Sequence, residues 1–382
     1  MKFKYLLLIT LACAYLFLDS CSSSKRADLN SLIQCRADER LFTIFAFASV
    51  GGFEFGEGHT ISQEVQQDLK SLDPDLKNRI VQFCKKYPIL GSGEVFCVVA
   101  TRIGDAPDFK LSPELLKELS DFEVEYSEEV KRILIGAGIE FTVVSGNKIK
   151  GLFDFDGEEF VKLLKEFYRK GQIASLWQKC ELYYDIEAKK YKLIAVEQIK
   201  KAVNYLRIPM EIPIGEIPIK GIVILPNLFY PSGTATNASD FAPGDTIFIV
   251  LGWENTGISH EFMHSIINPL VRTNFSLIEE SRSIYKLIKN DPELDNIGYP
   301  LFDGFFMENL VRAIDLRLDG QDSAAVLSLY RQGFIYTLPF YEKLADFEKD
   351  TLSIVDYFPQ LVKSIDVEKE IARWNKSEGS KF

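Results

Sequence analysis

The stretch Thr246–Pro269, TIFIVLGWENTGISHEFMHSIINP, decides how the rest of the chain is read. Thr246 to Leu251 is a β-branched, aromatic run of strand length, Gly252 to Gly257 breaks it, and a helix beginning near Ile258 is expected to stop at Pro269. Within that helix, His260-Glu261-Phe262-Met263-His264 has the H-E-x-x-H pattern. Residues i and i+4 lie one turn apart on one helix face, so the two imidazoles converge on a single ion. Glu261 sits beside that face, within reach of a bound water without being a ligand. The spacing predicts His260 and His264 as zinc ligands and Glu261 as general base. With three histidines in 382 residues, the pattern arises by chance on the order of a few times in a thousand such chains. The bland alternative is a pair of histidines hydrogen-bonded in a core.

A catalytic zinc takes three protein ligands and keeps one position open. The remaining histidine, His59 in Gly56-Glu57-Gly58-His59, reads as a surface residue of a flexible loop, and Ser265 to Leu270 (SIINPL) lacks the H-x-x-G-x-x-H continuation. A carboxylate is therefore expected, from among Glu279, Glu280, Asp303 and Glu308. Glu308 is favoured because Phe305, Phe306, Leu310, Val311 and Ile314 supply the apolar face of a helix able to pack on the metal helix. Arg312 and Asp315, at i+4 and i+7 from Glu308, share its face and are candidates to orient a ligand. Tyr230, Tyr336 and Arg312 are candidates to steady an oxyanion. Thr246 to Leu251 could offer an edge to an extended substrate, or be a central, fully paired strand.

The runs HEFMHSIINP (His260–Pro269), ENLVRA (Glu308–Ala313), GFIY (Gly333–Tyr336) and Tyr341-Glu342 resemble an uncharacterised bacterial family that carries a domain-of-unknown-function label and is grouped with zincin-like, gluzincin-type metallopeptidases. The resemblance covers roughly Leu225 to Val362 well and the N-terminal half faintly. It implies His260, His264 and Glu308 as zinc ligands and Glu261 as catalytic base. Met263 departs from the small polar residue expected there, on a position that points away from the histidine face.

Outward from this segment, the fold class expected is α+β: a zincin-like domain with a small mixed sheet over residues 207–376, preceded by a mostly helical region over 29–206. Helical patterns run over Leu29–Val50, Ser62–Tyr87, Ser112–Ser120, Ser127–Ile135, Gly157–Lys179 and Glu187–Leu206. Glu94–Ala100 is a short β-branched run, Glu140–Ser145 a possible strand, and Ile208–Leu225 reads as sheet leading into a glycine-, serine- and asparagine-rich loop. At the N-terminus, Lys2 and Lys4 precede an apolar run from Leu6 to Leu18 and then Leu18-Asp19-Ser20-Cys21. This resembles a bacterial lipoprotein signal over residues 1–20 with Cys21 lipidated, followed by a polar tether over residues 21–28. A secretory signal cut nearby is the alternative. The expected location is the cell envelope, anchored in the lipid bilayer.

A hydrophobic content of 47% and 26% charged residues exclude a disordered chain. The net charge of −11 leaves no basic field for nucleic acid. Once Cys13 and Cys21 are set aside, Cys35, Cys84, Cys97 and Cys180 remain, enough for two disulfides or four isolated buried thiols. The function expected is zinc-dependent hydrolysis of a peptide or protein substrate. The alternatives are an envelope scaffold lipoprotein with a structural zinc, or a zinc hydrolase acting on a non-peptide amide or ester.

Overall fold

The computed structural model describes residues 29–55, 57–87, 94–113, 124–125, 142–144, 148–150, 156–208, 213–214, 217–239, 245–289 and 302–378. The signal, the tether and the expected helix over Ser127–Ile135 lie outside these residues, as does nearly all of that over Ser112–Ser120. The fold is α+β: helices surround a four-stranded mixed sheet of β1 (Ile33–Cys35), β2 (Gly221–Asn227), β3 (Ala235–Asn237) and β4 (Thr246–Gly252), in the order β1-β2-β4-β3. β1 and β4 both run parallel to β2, with Ile33 opposite Ile222 and Gly221 opposite Thr246. β3 returns antiparallel to β4, with Thr236 opposite Val250. β4 is thus a central strand, not the edge that an added substrate strand would need, and β3 takes the edge. Pairing with separate segments of the chain decides this, since a fully apolar run looks the same with one neighbour or two.

Alternation along the strands divides two cores. Ile222, Ile224, Ile247, Ile249 and Leu251 face one side, while Val223, Leu225 and Val250 face the other. The second side is covered by α1 (Glu39–Val50), α2 (Thr60–Asp68), α3 (Pro74–Lys86), α4 (Glu94–Arg102) and α5 (Gly157–Lys170), which bring Phe42, Phe45, Phe47, Phe96 and Phe160 into one aromatic cluster. The first side carries α6 (Ile173–Leu206), α7 (Ile258–Thr273), α8 (Phe302–Leu318), α9 (Ser323–Arg331), α10 (Thr337–Phe347), α11 (Ile354–Lys363) and α12 (Val367–Glu378). The long helix α6 serves both cores, through Trp177, Cys180 and Tyr184 at one end and Tyr191, Ala195, Ile199 and Ala202 at the other. Together with the β1–β2 pairing, it ties the 29–206 region to the 207–376 region.

Several elements differ from the pattern reading, each for a local reason. Leu29–Val50 is not one helix, because β1 interrupts it. Asp38 then caps α1, accepting from the Arg40 and Leu41 amides, and is itself buried between Arg36 and Arg40 at 2.9 and 2.7 Å. Asp73 likewise starts α3 and splits Ser62–Tyr87 in two. Glu94–Arg102 is a helix despite its valines, because Phe96 to Ala100 are all buried and a short apolar run suits a wholly enclosed helix as well as a strand. The break placed between Lys179 and Glu187 lies instead at Gly171-Gln172, where Gln172 takes a φ of 50°. α7 runs a turn beyond Pro269, held there by burial of Leu270 and Val271.

Cys35, Cys84, Cys97 and Cys180 are thiols, not disulfides. Burial pushes Cys84 up to about 12 and Cys180 up to about 11, and the Cys97 Sγ lies 3.4 Å from the Tyr230 hydroxyl. Peptide mapping after alkylation is expected to find Cys84, Cys97 and Cys180 unmodified in the native protein. All three should be modified in denaturant without any reductant.

Candidate metal centre

α7 buries Ile258, Phe262, Ile267 and Val271 in the core, which leaves His260 and His264 on the flank turned to α8. α8 does the same with Phe305, Phe306, Leu310 and Ile314, and presents Glu308, Arg312 and Asp315. The two helices meet antiparallel: Asp315 faces His260, and Glu308 lies between His260 and His264. The imidazole Nε2 atoms are 3.2 Å apart. Glu308 Oε2 lies 3.3 Å from His264 Nε2, and Oε1 lies 3.7 Å from His260 Nε2. Ligand atoms of these three residues all fall within 4.8 Å of one another, and among the described residues they form the only such group of three or more.

The donor chemistry fits a zinc ion. Donors at about 2.0–2.2 Å around a tetrahedral ion lie roughly 3.3–3.6 Å from each other, close to the 3.2 Å between the two Nε2 atoms and the 3.3 Å from His264 Nε2 to Glu308 Oε2. Each ring is also tied at its far nitrogen. His260 Nδ1 is 2.5 Å from Asp315 Oδ2, and His264 Nδ1 is 3.1 Å from Asn268 Oδ1. A proton held on Nδ1 leaves each Nε2 lone pair aimed at the shared centre. Arg312 Nε lies 2.6 Å from Glu308 Oε1, and its guanidinium stacks 4.3 Å over the Phe334 ring.

Electrostatics follow from this enclosure. Glu308 is 5% exposed, and burial alone would raise its pKa, but the two imidazoles beside it hold it well below the ordinary 4.5. Burial would lower His260, yet Asp315 and Glu308 hold it well above 6.5. His264 rises in the same way through Glu308. Glu261 is half-buried on the same helix. Burial raises its pKa, and the neighbouring imidazoles pull part of that rise back.

Two residues at the site were missed by sequence reasoning. Asn237, the last residue of β3, donates to the Glu261 carbonyl at 2.7 Å and to Ser265 Oγ at 2.6 Å, pinning the motif helix to the sheet. Nothing in the polar segment around it marks Asn237 as a partner of a helix that begins some twenty residues later. Asn268 could have been found, because it stands four residues after His264 on one helix face.

Other candidates are placed elsewhere. The Tyr336 ring packs among Phe302, Phe305, Phe306 and Phe340 and its hydroxyl donates to the Ser281 carbonyl at 2.6 Å, so it is a core residue with no oxyanion role. Tyr230 is buried against Phe45 and Phe55 in the other core. His59 is not a loop ornament: its Nδ1 accepts from the Ile61 amide and caps α2. Glu279 pairs with Arg282 at 2.6 Å, and Glu279, Glu280 and Asp303 do not join the three-residue group.

Replacing Asp315 with Asn is expected to weaken zinc binding about 10–100-fold, read by competition with a chromophoric chelator. The metal-free cluster has its own pH signature. The raised His260 pKa contributes stability that is complete below its ordinary 6.5 and lost as pH rises through the folded value. The lowered Glu308 pKa contributes stability that is complete above its ordinary 4.5 and lost as pH falls through the folded value. Thermal unfolding of chelator-treated protein is therefore expected to separate wild type from His260→Gln most widely between those two values.

No curated protein and no solved structure matches the chain. Residues 228–364, which hold the three clustered side chains, match a family described as a domain of unknown function (DUF4932), a description that names no activity.

Proposed function

We propose that the protein is a zinc-dependent peptidase of zincin type, exported and held at a bilayer by a lipid on Cys21. The observation that carries the enzymatic part is the convergence of His260, His264 and Glu308 on one centre, with Glu261 one residue from the first imidazole. Zinc held there would lower the pKa of a water toward about 7 and polarise a substrate carbonyl. The remaining work falls to side chains of the chain itself. Glu261, its proton affinity raised by burial, accepts the proton of the attacking water and passes it to the leaving amine. Asp315 and Asn268 keep both Nε2 atoms pointed inward, and Arg312 holds one oxygen of Glu308. Arg312 also remains the one named candidate to face a developing oxyanion, since both tyrosines are committed to cores.

Export and anchoring rest on the N-terminal sequence. Among the described residues, no helix is long and apolar enough to cross a membrane. Glu261→Gln is expected to keep about one zinc per chain and to lose about 10²–10⁴-fold in turnover of an unfolded-protein or peptide library. His264→Ala should lose the metal itself. Metal content by mass spectrometry beside peptide turnover checks both. Unchanged turnover in Glu261→Gln would refute its role, and a zinc-loaded wild type inert on broad libraries would favour the scaffold reading.

A further inference from the structure

The long helix α6 carries an unusual outer face. Among the described residues six large hydrophobic side chains are exposed, and four of them, Leu182, Tyr183, Ile186 and Leu193, lie on α6. Leu193 is 81% exposed and Leu182 is 64% exposed, values that belong to side chains standing clear of their own fold. With 3.6 residues per turn, Leu182, Ile186 and Leu193 fall within an arc of about 40° and span about 17 Å of helix. The exposed Lys189 and Lys200 lie in nearly the same arc, with Asp185 and Glu197 at its borders. On a chain whose net charge is −11, this combines apolar side chains with lysines along one line.

The N-terminus leaves the fold beside the same line. The Lys192 ammonium, one residue before Leu193, donates to the Asn30 carbonyl at 3.3 Å and to the Ile33 carbonyl at 2.5 Å. Cys21 stands eight residues ahead of Leu29, so a lipid there can lie no more than about 29 Å from that exit. Leu193, next to Lys192 in the chain, puts one end of the apolar stripe beside that exit.

We infer that the outer face of α6, built on Leu182, Ile186 and Leu193 with Tyr183 and the flanking lysines, lies against the surface of the bilayer that holds the Cys21 lipid. The inference rests on the lipid-anchor reading and is independent of the peptidase reading. A tether limits distance but leaves orientation open, whereas an apolar line with lysines set along it suits the boundary between acyl chains and anionic headgroups. The contact would also set the height of the candidate metal centre. α6 packs directly on α7, and the Ser259 amide, next to His260, donates to Gln198 Oε1 at 3.2 Å.

Lipidated full-length protein in vesicles of phosphatidylethanolamine and phosphatidylglycerol tests this, with brominated acyl chains as quencher of tryptophan emission. Leu193→Trp is expected to lose its added emission when the lipids are brominated, whereas Lys349→Trp, at an exposed site in the C-terminal region, should keep it. A second arm compares the Leu182→Ser, Ile186→Ser, Leu193→Ser triple variant, which should lower the vesicle-bound fraction of the Cys21→Ala chain relative to unaltered α6. If Leu193→Trp keeps its emission on brominated vesicles while radiolabelled fatty acid enters wild type and not Cys21→Ala, the anchor stands and the α6 contact is overturned. If wild type takes up no label, the anchor reading itself fails. A second copy of the chain on this face, seen as dimers that the triple variant abolishes and as unquenched Leu193→Trp, would also overturn the contact.

Discussion

A carboxylate buried between two imidazoles is the constraint around which the C-terminal core is arranged. An ionised side chain almost wholly removed from water costs several kcal/mol unless opposite charge and hydrogen bonds replace its hydration. Glu308 meets that demand with His260, His264 and Arg312, and His260 is in turn held by Asp315. Removing one partner from such a cluster costs about 3–5 kcal/mol, since it strands a buried charge. α7 and α8 are therefore fixed to each other by polar contacts as well as by Phe262, Phe306 and Leu310. A cation at the shared centre would replace protons with a fixed positive charge and leave this logic intact.

The sheet supplies the platform for that pair. β4 leads directly into α7, and β3 reaches across with Asn237 to hold the carbonyl of Glu261 and the hydroxyl of Ser265. Beside α7 on the same face of the sheet lies α6, whose Tyr191 hydroxyl donates to the Gly252 carbonyl at the end of β4. The motif helix is thus gripped at its start from two directions. The same long helix carries the aromatic N-terminal core at its other end, so the two halves share one support.

The histidine pair and the glutamate beside it were legible before any coordinates, because i and i+4 on a helix are neighbours whatever surrounds them. Glu308 was legible more weakly, as the acidic position on an apolar helical stripe. The α+β class, the strand over Thr246–Gly252 and the capping roles of aspartates also follow from local rules, although Asp38 and Asp73 were overlooked as N-caps. What could not be read was which element lies beside which. That set includes the central place of β4, the strand at Ile33–Cys35 inside a helical pattern, and the removal of Tyr230 and Tyr336 to separate cores.

The amino-acid order alone determined the local chemistry: two nitrogen donors one helical turn apart, a carboxylate beside them, and an N-terminal segment that reads as an address. Tertiary structure decided which of four candidate carboxylates joins the two imidazoles, that Asn237 and Asn268 brace the motif helix while Tyr230 and Tyr336 go to cores, and that α6 keeps large apolar side chains exposed. The physical reason is range. Helix periodicity and capping act within a turn or two of the chain, whereas the partners of a buried charge are chosen by packing between segments remote in sequence.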